Sequence, residues 1–159
     1  MRIRKALEAD KEAISQLHTT SIKKLCRTHY SQEQVDAWCS VLTPSAYDHA
    51  LREKVFLVAE CSGGNLLGLG MLDIEHAEIS AIYIHPDAVG QGIGAGILRE
   101  LERIAQRSEI KTITVFSTLN SRGFYERRGY QVEEPALHSL PNGLELECIR
   151  MAKGFPASD

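Results

Sequence analysis

The chain has 159 residues with 43% hydrophobic and 25% charged side chains, an ordinary globular mixture that excludes disorder and low complexity as the main description. At this length one domain, 1–159, is expected, with a core large enough to need neither disulfide nor metal. Eighteen Lys and Arg against 21 Asp and Glu leave a net charge of −3, the wrong sign for a nucleic-acid partner.

The elements follow in chain order. A short strand is predicted over Ile3 to Ala6. Ile14, Leu17, Ser21 or Ile22, and Leu25 then recur at helical spacing, with acids before them and Lys23, Lys24 and Arg27 after, an order that suits the helix dipole. Ser31 before QEQVDAWCS reads as the N-cap of a second helix, and Thr43-Pro44 before SAYDHALREK repeats the signal. VFLVAEC, a Ser62–Asn65 turn and LLGLGMLDI read as an antiparallel hairpin, followed at once by a strand from Glu78 to Ile84. Ile97, Leu98, Leu101, Ile104 and Ala105 mark one face of a helix over Ile93 to Ser108. A strand over 112–117, a helix from Asn120 to Arg128 stopped by Gly129, and strands Tyr130–Glu133 and Leu144–Met151 complete a mixed α/β (α+β) sheet domain.

The four cysteines, Cys26, Cys39, Cys61 and Cys148, form no CxxC pair or Cys/His cluster, so they read as reduced structural thiols and no metal site is expected. The N-terminus turns acidic before any apolar run begins, and the longest such run, Leu66 to Leu72, is far short of the roughly 18 residues of a membrane span. A cytoplasmic protein with no membrane partner is expected. Oligomeric state is not legible, and a homodimer remains open.

The chemically informative stretch is EISAIYIHPDAVGQGIGAGILRELE, residues 78–102, a strand followed by a loop with Gly90, Gly92, Gly94 and Gly96 that opens a helix. Free backbone N–H groups, close approach at glycine and the helix dipole make such a loop an anion site, with a pyrophosphate as its natural occupant. Gly90-Gln91-Gly92-Ile93-Gly94-Ala95 formally satisfies a dinucleotide pattern, but three strands precede it and no carboxylate ends the next strand. A Walker A loop also fails, because no Lys-Ser or Lys-Thr follows the glycines.

Residues 78–98 together with NSRGFYERRGY at 120–130 resemble the two signature motifs of the GCN5-related N-acetyltransferase (GNAT) family, and the element order is similar from end to end. Val89-Gly90-Gln91-Gly92-Ile93-Gly94 resembles the family's (Gln/Arg)-x-x-Gly-x-(Gly/Ala) loop, with Val89 in place of Gln or Arg. The second segment resembles Asn-Ala-x-x-Phe-Tyr-Glu-x-x-Gly-Phe, with Ser121 for Ala and Tyr130 for Phe. HYSQEQVDAW, residues 29–38, is similar to a signature of one branch of small bacterial members.

The resemblance implies a mostly antiparallel twisted sheet flanked by helices and splayed between its fourth and fifth strands. It implies acetyl-CoA as co-substrate, held by Ile82, Tyr83, Ile84, Val89, Gly90, Gln91, Gly92, Ile93, Gly94, Ala95, Asn120, Arg122 and Tyr125. It also implies Tyr125 as the acid beside the sulfur and Asn120 as cap of its helix and pantetheine contact. Arg122, Arg127 and Arg128 form a basic cluster that reads either as phosphate contacts or as a solvated helix face. An alkylammonium with a pKa of ~10 must lose a proton before it attacks, so a base is needed. Glu78, where many family members carry a Glu, is the candidate; the alternative is an exposed edge-strand charge. His76 is the second candidate base. His29, Tyr30 and Trp38 lie on the segment that walls the acceptor pocket in this family, although the lone Trp38 reads first as core. The expected function is transfer of acetyl to a small-molecule primary amine in a ternary complex. The alternatives are acetylation of a protein or peptide N-terminus and a non-catalytic acyl-CoA-binding module.

Overall fold

The computed structural model describes residues 1–157. Seven strands form one sheet in the order β1-β2-β3-β4-β5-β7-β6: β1 Arg2–Lys5, β2 Val55–Glu60, β3 Leu66–Asp73, β4 Glu78–Ile84, β5 Thr112–Thr118, β6 Gln131–Ser139 and β7 Glu145–Gly154. All neighbours are antiparallel except β4 and β5. The helices are α1 Lys11–Ser21, α2 Gln32–Ser40, α3 Asp48–Glu53, α4 Ile93–Arg107 and α5 Arg122–Glu126. Among the described residues no helix is long and apolar enough to cross a membrane.

Strand alternation divides the core between the two faces. On β2, Leu57 and Ala59 join the α4 stripe of Ile93, Ile97, Leu98, Leu101 and Ala105, while Phe56 and Val58 meet Ile14 and Leu17 of α1 and Tyr47. A further cluster, built from Ile22, Cys26, Tyr30, Val35 and Trp38, closes on Leu140 and Leu146 of the last hairpin. Gly70 permits the close approach of α4. A Cβ there would fall within 3.2 Å of Leu101 and closer still to Ile97, so any side chain pushes the helix off the sheet.

Several local expectations are corrected. The helix through Leu25 ends as α1 at Ser21 and continues as a π-helical turn, Ile22–Cys26. Ser31 caps α2 through a reciprocal capping box with Gln34, whereas the segment after Thr43 begins as a 3₁₀ turn, Pro44–Tyr47, before α3. Asn120 caps nothing. It lies inside a 3₁₀ turn, Leu119–Ser121, and α5 begins only at Arg122, with no side-chain cap at Ser121. β6 is far longer than the 130–133 expected and β7 runs three residues beyond the expected end at Met151; the two pair as far as Ser139↔Glu145. Pro135 and the exposed charges of β6 conceal it from periodicity, since an edge strand tolerates both.

Candidate active site

β4 and β5 pair only at Glu78↔Thr114 and Ile79↔Val115. Beyond that point the strands diverge, and β4 stays bonded to β3 alone through Ile84. The β3–β4 register shifts between Met71↔Ala81 and Leu72↔Ile79, so Ser80 faces no partner. This is a β-bulge, which bends a strand and raises its local twist. It sits where β4 leaves β5, and Lys54 Nζ donates to Ser80 Oγ at 2.9 Å. The gap is lined by Ser80–Tyr83 on one side and Val115–Thr118 on the other, with Ser121 and Tyr125 at its end.

Two larger cavities meet at this gap, and both include Tyr83 and Thr118 in their walls. The first, of about 300 Å³, is bounded by Ile82, Tyr83, Ile84, Val89, Gly94, Asn120, Phe124, Tyr125 and the π-turn residue Cys26. At its mouth, Gly90 and Gly92 take left-handed conformations, φ +84° and +79°, and Gly92 is the N-cap of α4. Among the described residues the backbone N–H groups of residues 90–95 donate to no protein acceptor. Free amides at the start of a 15-residue helix are the feature that the anion site expected from the glycine spacing requires. Gln91 is exposed, its amide reaching back to the Asp87 carbonyl at 3.4 Å. The Ile93 side chain is buried in the core, so only its backbone N–H is available to a ligand. Val89 is 53% exposed and supplies an apolar wall.

Tyr125 lies 4% exposed on this cavity, packed edge-on against Phe124 and Tyr130. Burial raises its phenol well above the ordinary value, so it stays protonated throughout the physiological range. Asn120 lines the same wall, and its Oδ1 is buried with no hydrogen-bond partner among the described residues. Burial pushes the Cys26 thiol up to about 12, with Asn120 opposing, so it is no nucleophile. Arg122 does not reach the cavity. It is exposed and pairs with Glu126 at 3.1 Å, while Arg128 stacks on Phe124, 4.1 Å from the ring centroid.

The second cavity, of about 400 Å³, opens on the other side of the gap. Part of its wall is aromatic: Tyr30 lies edge-on to Trp38 with centroids 5.5 Å apart, Trp38 edge-on to Tyr83 at 6.3 Å, and Tyr47 and Phe116 also border it, beside the polar or charged Lys54, Ser80, His138 and Glu147. Glu78 is on this wall, half-buried with strands on both sides, which rules out the edge-strand alternative. Burial pushes its carboxyl above the ordinary range, with the Lys54 ammonium acting against the shift.

The structure brings Tyr30, Trp38 and Glu78 to one cavity but leaves His29 and His76 outside it. His29 is exposed and bonds Thr28 at 2.9 Å. His76 is exposed on the β3–β4 turn, its Nδ1 3.0 Å from Asp73 Oδ2. The Tyr30 hydroxyl is fully engaged, donating to the Glu147 carbonyl at 2.5 Å and accepting from Leu119 N–H at 3.1 Å. It is a strut that ties the helical wall to β7 and to the turn carrying Asn120. Sequence reasoning missed Ser80, Lys54, Phe116 and His18. Of these only His18 carried a signal, as a polar residue one turn after Ile14 on the buried stripe of α1.

Comparison with known proteins agrees with this geometry. The profile of the family described as "Acetyltransferase (GNAT) domain" matches residues 26–145. A GCN5-related N-acetyltransferase from Rhodopseudomonas palustris superposes with a TM-score of 0.90 at 27% identity, over 97% of this chain and 95% of that one. The PaiA N-acetyltransferase from Thermoplasma acidophilum, solved in complex with coenzyme A, superposes with a TM-score of 0.80 at 23% identity over 97% and 98%. The uncharacterized N-acetyltransferase ycf52 of Porphyra purpurea is 33% identical over 60 residues, 38% of this chain, and the match spans about a third of that relative's length (34%). With the profile covering both the glycine loop and the Asn120–Tyr130 segment, the chain belongs to the GNAT acetyltransferase family.

Proposed function

We propose that the chain is a single acetyltransferase domain, 1–159, that moves the acetyl group of acetyl-CoA to a primary amine of a small molecule by direct attack. The observation that carries this reading is the meeting of two cavities at the β4–β5 gap, one headed by the glycine loop and the other by a partly aromatic wall with Glu78. Acetyl-CoA supplies the activated acyl group; amides of residues 90–95 hold its pyrophosphate, and Ile82–Ile84 and Asn120 line the pantetheine path. The coenzyme A complex of PaiA, which shares the fold, supports this placement.

Glu78 takes a proton from the substrate ammonium, directly or through water. The freed nitrogen attacks the thioester carbon; as the C–S bond breaks, Tyr125 gives its phenolic proton to the departing thiolate, and the proton that the nitrogen sheds on becoming an amide returns through water to the tyrosinate. Unpaired backbone groups of β4 facing the gap are in position to polarise the carbonyl. An acceptor cavity of about 400 Å³ favours a small amine over a protein terminus. A cytoplasmic location accords with a cytoplasmic acyl donor. Free-thiol release from acetyl-CoA across a panel of amines and N-terminal peptides tests the reading. Release with small amines is expected; release with peptides alone transfers the assignment to them, and binding of acetyl-CoA without release to any acceptor leaves a non-catalytic module.

A further inference from the structure

Among the described residues Lys54 is the only lysine or arginine bordering the acceptor cavity, and the bulge in β4 fixes where its charge lies. Glu78, Ser80, Ala81 and Tyr83 all line that cavity, whereas Ile79, Ile82 and Ile84 belong to the core under α4. Simple alternation cannot give this pattern, since Glu78 and Tyr83 are an odd number of residues apart. The unpaired Ser80 supplies the extra step that turns both ends of β4 to one side. Lys54 reaches this step from the junction of α3 and β2. Its backbone N–H donates to the Ala50 carbonyl at 3.0 Å and its Nζ to Ser80 Oγ at 2.9 Å, so the long side chain is held at both ends.

Residues two apart on a strand are ~7 Å apart, so an ammonium bonded to Ser80 lies within the ~8 to 10 Å over which charges in salt solution still act on one another. Glu78 is within its reach. Among the described residues no ion-pair partner lies within 4.0 Å of the Glu78 carboxylate. Its register partner on β3, Asp73, is a like charge already paired with His76 at 3.0 Å. Glu75 and His76 stand on the turn between β3 and β4, His138 of β6 and Glu147 of β7 border the cavity, and the β5 partner Thr114 is uncharged. Of the charges that act on Glu78, Lys54 is the strongest, and it opposes the effect of burial.

Resting on the acetyltransferase reading, we propose that Lys54 is a positioning residue for proton transfer: tethered to the Ser80 bulge, its ammonium balances the Glu78 carboxylate and keeps it ready to take the acceptor's proton. Lys54 acts through Glu78 and takes no proton itself. A lysine that only propped the bulge would hold the strand in shape and leave the charge state of Glu78 untouched.

The test follows the Glu78 carboxyl by NMR titration of glutamate-labelled protein, its signal assigned by loss in Glu78→Gln, and in parallel the pH dependence of kcat/KM with an accepted amine. Removing a positive charge disfavours the carboxylate, so in Lys54→Met the titration and the acid limb should both move to higher pH. At a fixed pH on that limb the rate, relative to each protein's own plateau, should be about three- to tenfold below wild type. Lys54→Arg keeps the charge and should titrate as wild type. Ser80→Ala keeps the ammonium but cuts its tether, and should move both readouts the same way by less. A titration unmoved in Lys54→Met, or moved equally in Lys54→Met and Lys54→Arg, overturns the proposal and leaves Lys54 a prop. So does a Ser80→Ala protein that titrates as wild type, a result that stands even if Lys54→Met does not fold. A titration that moves while the acid limb stays overturns the proposal together with the assignment of Glu78 as base. Absence of acetyl transfer to any amine by the wild type overturns the underlying reading, and the NMR titration, which needs no substrate, keeps that failure distinct from the others.

Discussion

In the proposed mechanism Tyr125 and Glu78 divide the proton traffic, and burial drives both pKa values upward. A buried phenol that cannot ionise near neutrality retains a proton to give, so Tyr125→Phe deletes the donor while keeping the ring that packs against Phe124 and Tyr130. General acid catalysis is worth about 10² to 10⁴-fold. That loss should appear in kcat with acetyl-CoA affinity retained; full turnover under conditions where chemistry limits the rate would leave the tyrosine a packing residue. Glu78 acts only when ionised, so the rate should fall as pH drops through its carboxyl pKa. Because burial raises that pKa, the acid limb should lie above the ~4.3 of a free glutamate. Glu78→Gln should lower the rate by a similar factor and remove this limb. A profile identical to wild type would pass the base to water or, if His76→Ala alters it, to His76 despite its position outside the cavity.

At the scale of elements, the α4 loop shows how much of the site local sequence can encode. Gly92 combines a left-handed backbone with open space around its missing Cβ, so size and charge can be tested apart. Gly92→Ala adds only conformational strain, about 1 to 2 kcal/mol of stability. Gly92→Glu adds the same strain plus a carboxylate at the cradle, and by calorimetric titration it alone should lose acetyl-CoA binding. Equal affinity in both variants would contradict the cradle. The glycine spacing, the amphipathic stripe of α4 and the Ser31 N-cap were legible because each is written within a few residues. The bulge at Ser80 was not, since it arises from how β4 compromises between β3 and β5. Nor was the role of the Tyr30 hydroxyl, whose acceptor lies 117 residues further along the chain.

At the scale of the whole molecule, one parallel contact in an otherwise antiparallel sheet creates the opening through which the two cavities meet. The family resemblance implied that splay, and Tyr125 and Glu78 lie on different cavities beside it. It anticipated less well which side chains complete the acceptor wall, because His18, Tyr47, Phe116 and Lys54 are gathered from distant segments by packing alone. The arrangement places donor and acceptor on opposite sides of a common gap with no ionised thiol between them, since burial keeps Cys26 protonated. Direct transfer then requires both substrates bound at once, whereas a covalent acyl-enzyme would let CoA leave before the amine arrives. The decisive measurement is an initial-rate matrix with acetyl-CoA and an accepted amine varied together, product being followed as N-acetylated amine. Intersecting double-reciprocal lines are predicted; parallel lines, the mark of a covalent intermediate, would contradict the account.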